Sequence, residues 1–266
     1  MSAPKFKTKI IGGHGLYTDD NGMTHLREVL METHNEIVIG GTLFALEKMF
    51  GVRSSLTIDY LNNILGIATG GTDVESQYLS NNFVCLFGVG IGGSGDSIGS
   101  KKDVKFVERE LGNMVPFRHT SETLSGTDAN RYWFKKTNPD SKVSYYLKTF
   151  ETAPVIKALW DDGTGDEDGT EVTSNVWQSA RTEDIEVFVE LILKVDKTDI
   201  VEWFEANGNI EQCRVNSIGL FTGVQANVGS GVTDYKLVKM ISKFNFNNEM
   251  LDMSKDLEFI YRIYTA

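Results

Sequence analysis

Ile185, Val187, Val189, Leu191, Leu193 and Val195 share one parity of a single run, and Glu186, Glu190 and Lys194 occupy the other. Alternation of this kind has period two, the repeat of an extended strand whose successive side chains point to opposite faces; no helix gathers those apolar residues on one side. The final run alternates in the same way, with Leu257, Phe259, Tyr261 and Ile263 on one face and Glu258 and Arg262 on the other. Residues 83–89, 143–150, 214–221 and 235–246 are further period-two or continuously apolar runs. They follow one another without regular helical crossovers, which parallel pairing would demand, so the expected fold is mainly β: an antiparallel β-sandwich.

Helical spacing is confined to the first third and to one later insertion. Leu26, Val29 and Leu30 stand at helical intervals behind Thr24 as a cap, which predicts a short helix over 24–31. Leu43, Leu46 and Phe50 predict a second over 42–50, ended by Gly51, and Leu56, Tyr60, Leu61, Ile64 and Leu65 a third over 55–65, ended by Gly66. A Gly/Thr-rich link at 69–72 then marks the expected boundary between a helical N-terminal region, 1–72, and a strand-rich sandwich domain, 73–266. One helix is expected inside the strand region at 199–206, with Ile200, Trp203 and Phe204 on one side and Asn207-Gly208 as its stop. No internal repeat of fixed period is present.

Charge and composition remove several classes of function. Lys and Arg total 26 against 37 Asp and Glu, a formal charge of −11, so a phosphate-binding surface is disfavoured for the chain as a whole and nucleic acid is not an expected partner. The local basic groups Lys101, Lys102, Lys105 and Lys135, Lys136 read as solvated faces. No apolar run is long enough to span a membrane, and the N-terminal residues lack the pattern of a signal peptide, which leads to the expectation of synthesis in a cytoplasm. Cys85 and Cys213 sit inside apolar runs, where a buried thiol is expected rather than a disulfide or a metal ligand.

Three segments invite an enzymatic reading, and each fails on its own chemistry. Gly88, Gly90 and Gly93 match the spacing G-x-G-x-x-G after a strand, but 94–99 is too rich in Gly and Ser to begin the helix that would face a pyrophosphate, so 88–99 reads as a surface loop. The acidic segment 161–169 has the composition of a calcium loop without its ligand order, since Thr164 falls at the first ligand position and Asn175 where a bidentate Glu belongs. His14, His25, His34 and His119 show no paired-ligand spacing, and no G-x-S-x-G marks a nucleophilic serine. No catalytic, cofactor-binding or metal-binding residue is assigned on this reading.

The C-terminal third has a recurring order: Val215-Asn216-Ser217-Ile218-Gly219-Leu220-Phe221-Thr222-Gly223, then 237–244, then the alternating run 257–264. This order resembles the end of many tailed-bacteriophage virion proteins, in which a strand of the form I/L-G-L-F/Y-x-G precedes a loop, a strand and a terminal alternating strand. The resemblance spans about residues 213–264 and, more faintly, 86–89. It implies a virion structural protein of the neck, collar, tail or baseplate without cofactor or catalytic residues, working with copies of itself and with portal, neck or tail subunits. On this basis Ile260, Arg262 and Tyr264, on or beside the charged face of the last run, and Trp133 are the candidate interface residues, and Ile260→Glu is expected to weaken an oligomer while sparing the fold. A second expectation is a host-surface or carbohydrate-binding role, with Tyr132, Trp133 and Phe134 stacking on sugar rings. A virion-associated hydrolase stands third.

Overall fold

Long alternating runs become strands wherever a partner of matching register exists, and both ends of the chain supply one for each other. The structure, a computed structural model, describes residues 6–20, 22–33, 36–37, 39–54, 65, 76–93, 111, 113–160, 170–171, 185–208, 210–227, 233–250 and 254–265. In chain order these form β1 (Phe6–Thr18), β2 (Thr24–Thr33), β3 (Glu36–Ile37), α1 (Ile39–Phe50), α2 (Tyr78–Asn81), β4 (Asn82–Gly90), β5 (Met114–Val115), β6 (Arg118–Thr120), β7 (Tyr132–Thr137), β8 (Val143–Thr149), β9 (Val155–Trp160), β10 (Thr170–Glu171), β11 (Ile185–Val195), α3 (Val201–Ala206), β12 (Arg214–Asn227), β13 (Thr233–Met250) and β14 (Leu257–Thr265). The chain is mainly β, with two antiparallel sheets and few helices, consistent with the β-sandwich class expected from the sequence.

The chain divides into two compact units: 1–34, 151–196 and 254–266 form unit 1, and 35–150 and 197–253 form unit 2. Neither coincides with the expected stretches 1–72 and 73–266. The composition shift at residue 72 is a local signal, whereas the units are set by pairing between distant strands.

Unit 1 holds the sheet β10-β9-β11-β14-β1-β2. The terminal strand is central: β14 pairs with β1 from Phe6↔Thr265 to Gly13↔Glu258 and with β11 from Phe188↔Tyr264 to Val195↔Leu257. The region expected to be a helix at 24–31 is β2, paired with β1 from Thr18↔Thr24 to Ile10↔Thr33. Propensity there yields to cross-strand pairing, and the supposed apolar stripe is not what the element buries: Leu26 is buried while Val29 and Leu30 are exposed. A bulge between Gly12 and Gly13 keeps the pair in register, and a side chain at Gly13 would put its Cβ 1.9 Å from the Glu28 carbonyl oxygen.

Unit 2 holds β3-β13-β12-β4-β8-β6, with β5 added to β4 and β7 to β8. Its longest strands, β12 and β13, carry register shifts at Val215/Ser217, Leu220/Phe221 and Thr222/Val224, irregularities that bend a strand and sharpen its local twist. Leu86, Met114, Trp133, Leu147, Phe221 and Met240 belong to one core cluster. Gly88 belongs to the packing of this unit, because a Cβ there would stand 2.9 Å from Leu147 Cδ2 and 3.0 Å from Met114 Cε. The expected helix at 42–50 is present as α1 and that at 199–206 as α3, stopped by Gly208 at φ +70°. The expected helix at 55–65 lies outside the described residues apart from Leu65, which is helical and buried.

Candidate functional site

Each unit turns a small set of charged side chains inward and pairs them there. In unit 2, Asp199 is fully buried just before α3; its Oδ1 accepts from the Tyr132 hydroxyl at 2.7 Å and its Oδ2 contacts the buried ammonium of Lys148 on β8. The next residue, Ile200, adopts φ +59°, a left-handed conformation that a β-branched side chain resists, and its N–H donates to the Phe117 carbonyl at 2.7 Å. The ion pair, the phenol and that backbone bond together fix the turn from which α3 departs. Glu202 of α3 in turn accepts from Arg118 Nε and Nη2 at 3.1 and 3.0 Å, a bidentate pair, and Asp128 accepts from Nη1 at 3.1 Å.

Unit 1 has its own buried network. Glu190 on β11 accepts from Lys157 Nζ at 2.8 Å, the Thr24 hydroxyl at 2.6 Å and Arg262 Nε at 3.0 Å, while Arg262 Nη2 donates to the Thr24 carbonyl at 2.9 Å. Burial alone would raise the Glu190 carboxyl; Lys157, Thr24 and Arg262 outweigh it and hold the group below the ordinary glutamate value. This explains why β11 departs from the simple alternation read in the sequence. Its first half buries Phe188 and Glu190 while Val187 is exposed, and its second half buries Leu191, Leu193 and Val195.

Ile260 is 1% exposed, so its side chain is interior, not presented to a partner. Arg262, 4% exposed, is spent on Glu190 and Thr24. Tyr264 packs on the cluster of Met23, Leu159 and Phe188, its ring 5.1 Å from that of Phe188. Trp133 is buried on β7, edge-on to Tyr235 at 5.1 Å, and Tyr132 and Phe134 are buried with it, so none of the three rings is available to stack on a sugar. Ile260, Arg262 and Trp133 are therefore buried within the single chain and Tyr264 is half-buried against a core cluster; Trp133 belongs to unit 2 and the other three to unit 1.

The glycine segment after β4 has its donors engaged. Gly88 and Gly90 lie within the strand rather than in a loop. The Gly93 N–H donates to Asn216 Oδ1 at 2.6 Å, and Asn216 Nδ2 donates to the Ile91 carbonyl at 3.0 Å. The rest of that expected loop, 94–99, and the acidic segment 161–169 lie outside the described residues.

One constellation was not legible in the sequence: His119 Nδ1 lies 2.9 Å from Ser144 Oγ, and its Nε2 lies 3.1 Å from Asp140 Oδ2. The residue types are those of a hydrolytic triad, but Ser144 is 1% exposed and its hydroxyl accepts from Asn138 Nδ2 at 2.8 Å. The serine hydroxyl is thus buried and engaged, and the arrangement ties β6 to β8. His25 stacks on Tyr17 at 5.4 Å and contacts Asp19 through Nε2 at 3.0 Å; His34 lies outside the described residues. Both cysteines are free, and burial pushes the thiol of Cys85 up to about 12 and that of Cys213 to about 11, far from a nucleophilic thiolate. Among the described residues no group of three or more His, Cys, Asp or Glu could hold a metal ion.

What the described surface does offer is apolar. At the end of α1, Leu46, Met49, Phe50 and Val52 are exposed, Phe50 to 68%, and Phe83 at the start of β4 is exposed to 60%. Lys48 links these elements, its ammonium 5.1 Å from the Phe83 ring and donating to the Leu79 carbonyl at 2.6 Å. In unit 1, Val155 and Ile156 on β9 and Val187 on the neighbouring β11 are exposed. No family model, no curated protein and no solved structure matches this chain.

Proposed function

We propose that the chain is a structural subunit of a tailed-bacteriophage virion, made in the host cytoplasm, which works by protein–protein contacts in a homo-oligomeric ring of the neck, collar or tail. The observation that carries this reading is an inversion of what a catalytic surface needs. The ionisable groups at the heart of each unit are buried and mutually satisfied, while large apolar side chains around Phe50 and Phe83 face outward. Exposed apolar groups of that size suit a surface covered in an assembly. The order of strands over 213–264 resembles that of virion proteins and supports the same reading, with portal, neck or tail subunits as partners and no cofactor.

The surface assigned to self-contact moves from the last strand to the end of α1, because Ile260 and Arg262 are interior. Negative-stain imaging of the purified chain tests the proposal: closed rings are the expected result. Particles of monomer size, combined with retention on cell-wall glycans, would replace it with the carbohydrate-binding role.

A further inference from the structure

A cleft of about 420 Å³ opens on unit 1, where β1, β2 and the residues leading into β14 meet. Three carboxylates line it, and each is already engaged. Glu28 accepts from Lys255 Nζ at 3.0 Å, Asp256 pairs with Lys194 Nζ at 2.9 Å, and Glu258 accepts the Leu16 N–H at 2.8 Å. His14 also lines the cleft, and its Nδ1 donates to the Asp256 carbonyl at 2.6 Å.

Arg27 is different. It stands between the register partners His14↔Glu28 and Leu16↔Leu26, facing Gly15. A Cβ at Gly15 would lie 3.2–3.3 Å from Arg27 Cβ, Cγ and Cδ, so the missing side chain is what lets the arginine stem lie along β1. The guanidinium Cζ is 5.3 Å from the Tyr17 ring centroid, and among the described residues it meets no carboxylate. Its stem runs over Gly15 and its head lies over Tyr17, yet among the described residues its fork of donors meets no acceptor. Such a group has surrendered part of its rotamer freedom before any ligand arrives.

We infer that this cleft binds a single carboxylate, a lone Asp or Glu side chain on a peptide segment otherwise free of negative charge, with both oxygens taken by the Arg27 guanidinium. Planar fork-to-fork pairing favours carboxylate or phosphate over a spherical anion. The surrounding Glu28, Asp256 and Glu258 then select between those two, because a dianion meets more repulsion from them than a monoanion does. The cleft lies wholly in unit 1 and its occupation does not depend on the virion reading.

The test is an NMR titration of the full chain with N-acetylglutamate α-amide, which carries one carboxylate, inorganic phosphate and sodium chloride at constant ionic strength, read at the His14 ring protons and assigned with His14→Gln. The expected result is a saturable shift with N-acetylglutamate α-amide, weaker with phosphate and absent with chloride. Arg27→Gln, at an exposed position, keeps the thermal midpoint and lowers the affinity at least about tenfold, while Arg27→Lys keeps the charge, loses the fork and falls between. A shift that chloride reproduces, that survives Arg27→Gln, or that phosphate produces at lower concentration overturns the inference.

Discussion

Asp199 shows how much of this fold hangs on a few buried charges. With its carboxylate removed, the Lys148 ammonium stays in the interior without its counter-ion and the Tyr132 hydroxyl loses its acceptor. Asp199→Ala is therefore expected to cost about 3–5 kcal/mol, read as a lower midpoint in denaturant. A loss within ordinary surface-substitution range contradicts the assignment. Glu190 gives the matching expectation in pH. Its folded carboxyl is held below the ordinary value, so the stability it contributes is fully present above the usual glutamate range and is lost as pH falls through the lowered folded value. Glu190→Gln should flatten that acid limb of the melting profile, and a limb of unchanged slope would remove Glu190 from its cause. Sequence could not reveal either network. Parity marks Glu190 and Arg262 as solvent-facing, and only strand register, Glu190↔Arg262 across β11 and β14, turns two apparently exposed charges into a buried pair.

At the scale of elements, legibility followed the strength of the period. The run 185–195 and the final run were read as strands because no helical template fits them, and both are. In residues 24–31 Leu26, Val29 and Leu30 satisfy helical spacing, while the deciding partner, β1, is supplied by the preceding segment and makes the run a strand. The β1–β2 bulge gives a direct check. Gly13→Ala places a methyl 1.9 Å from a backbone oxygen that no rotamer change can move, whereas at Gly126, with φ +60°, nothing lies within 4 Å and only backbone strain is added. The expected loss is about 1 kcal/mol for Gly126→Ala and about 3 kcal/mol or more for Gly13→Ala, compared by thermal midpoint. Equal losses contradict the bulge. Ile260→Glu belongs here too. With Ile260 at 1% exposure, the substitution should prevent cooperative folding of unit 1 rather than loosen an oligomer, and a native melting profile for that variant would return Ile260 to the surface.

The whole molecule is organised by returns of the chain. Unit 1 draws on both termini and on 151–196, so the chain passes between units at 34/35, 150/151, 196/197 and 253/254. A composition scan sees neighbours in sequence and places a boundary at residue 72; it has no access to β14 closing on β1. The same limit applies to the candidate interface. Ile260, Arg262, Tyr264 and Trp133 were chosen for apolar or charged character on faces that a lone strand would expose, and pairing and side-chain networks cover those faces. At this scale the proposed protein–protein contact rests on Met49, Phe50, Val52 and Phe83, which are exposed while a few charged groups in each unit are buried and paired. Sedimentation velocity of the intact chain beside Phe50→Ser tests this most directly. A single closed oligomer for the intact chain, shifted toward monomer by Phe50→Ser with the thermal midpoint kept, is the expected result. A monodisperse monomer for both proteins across the accessible concentration range contradicts it.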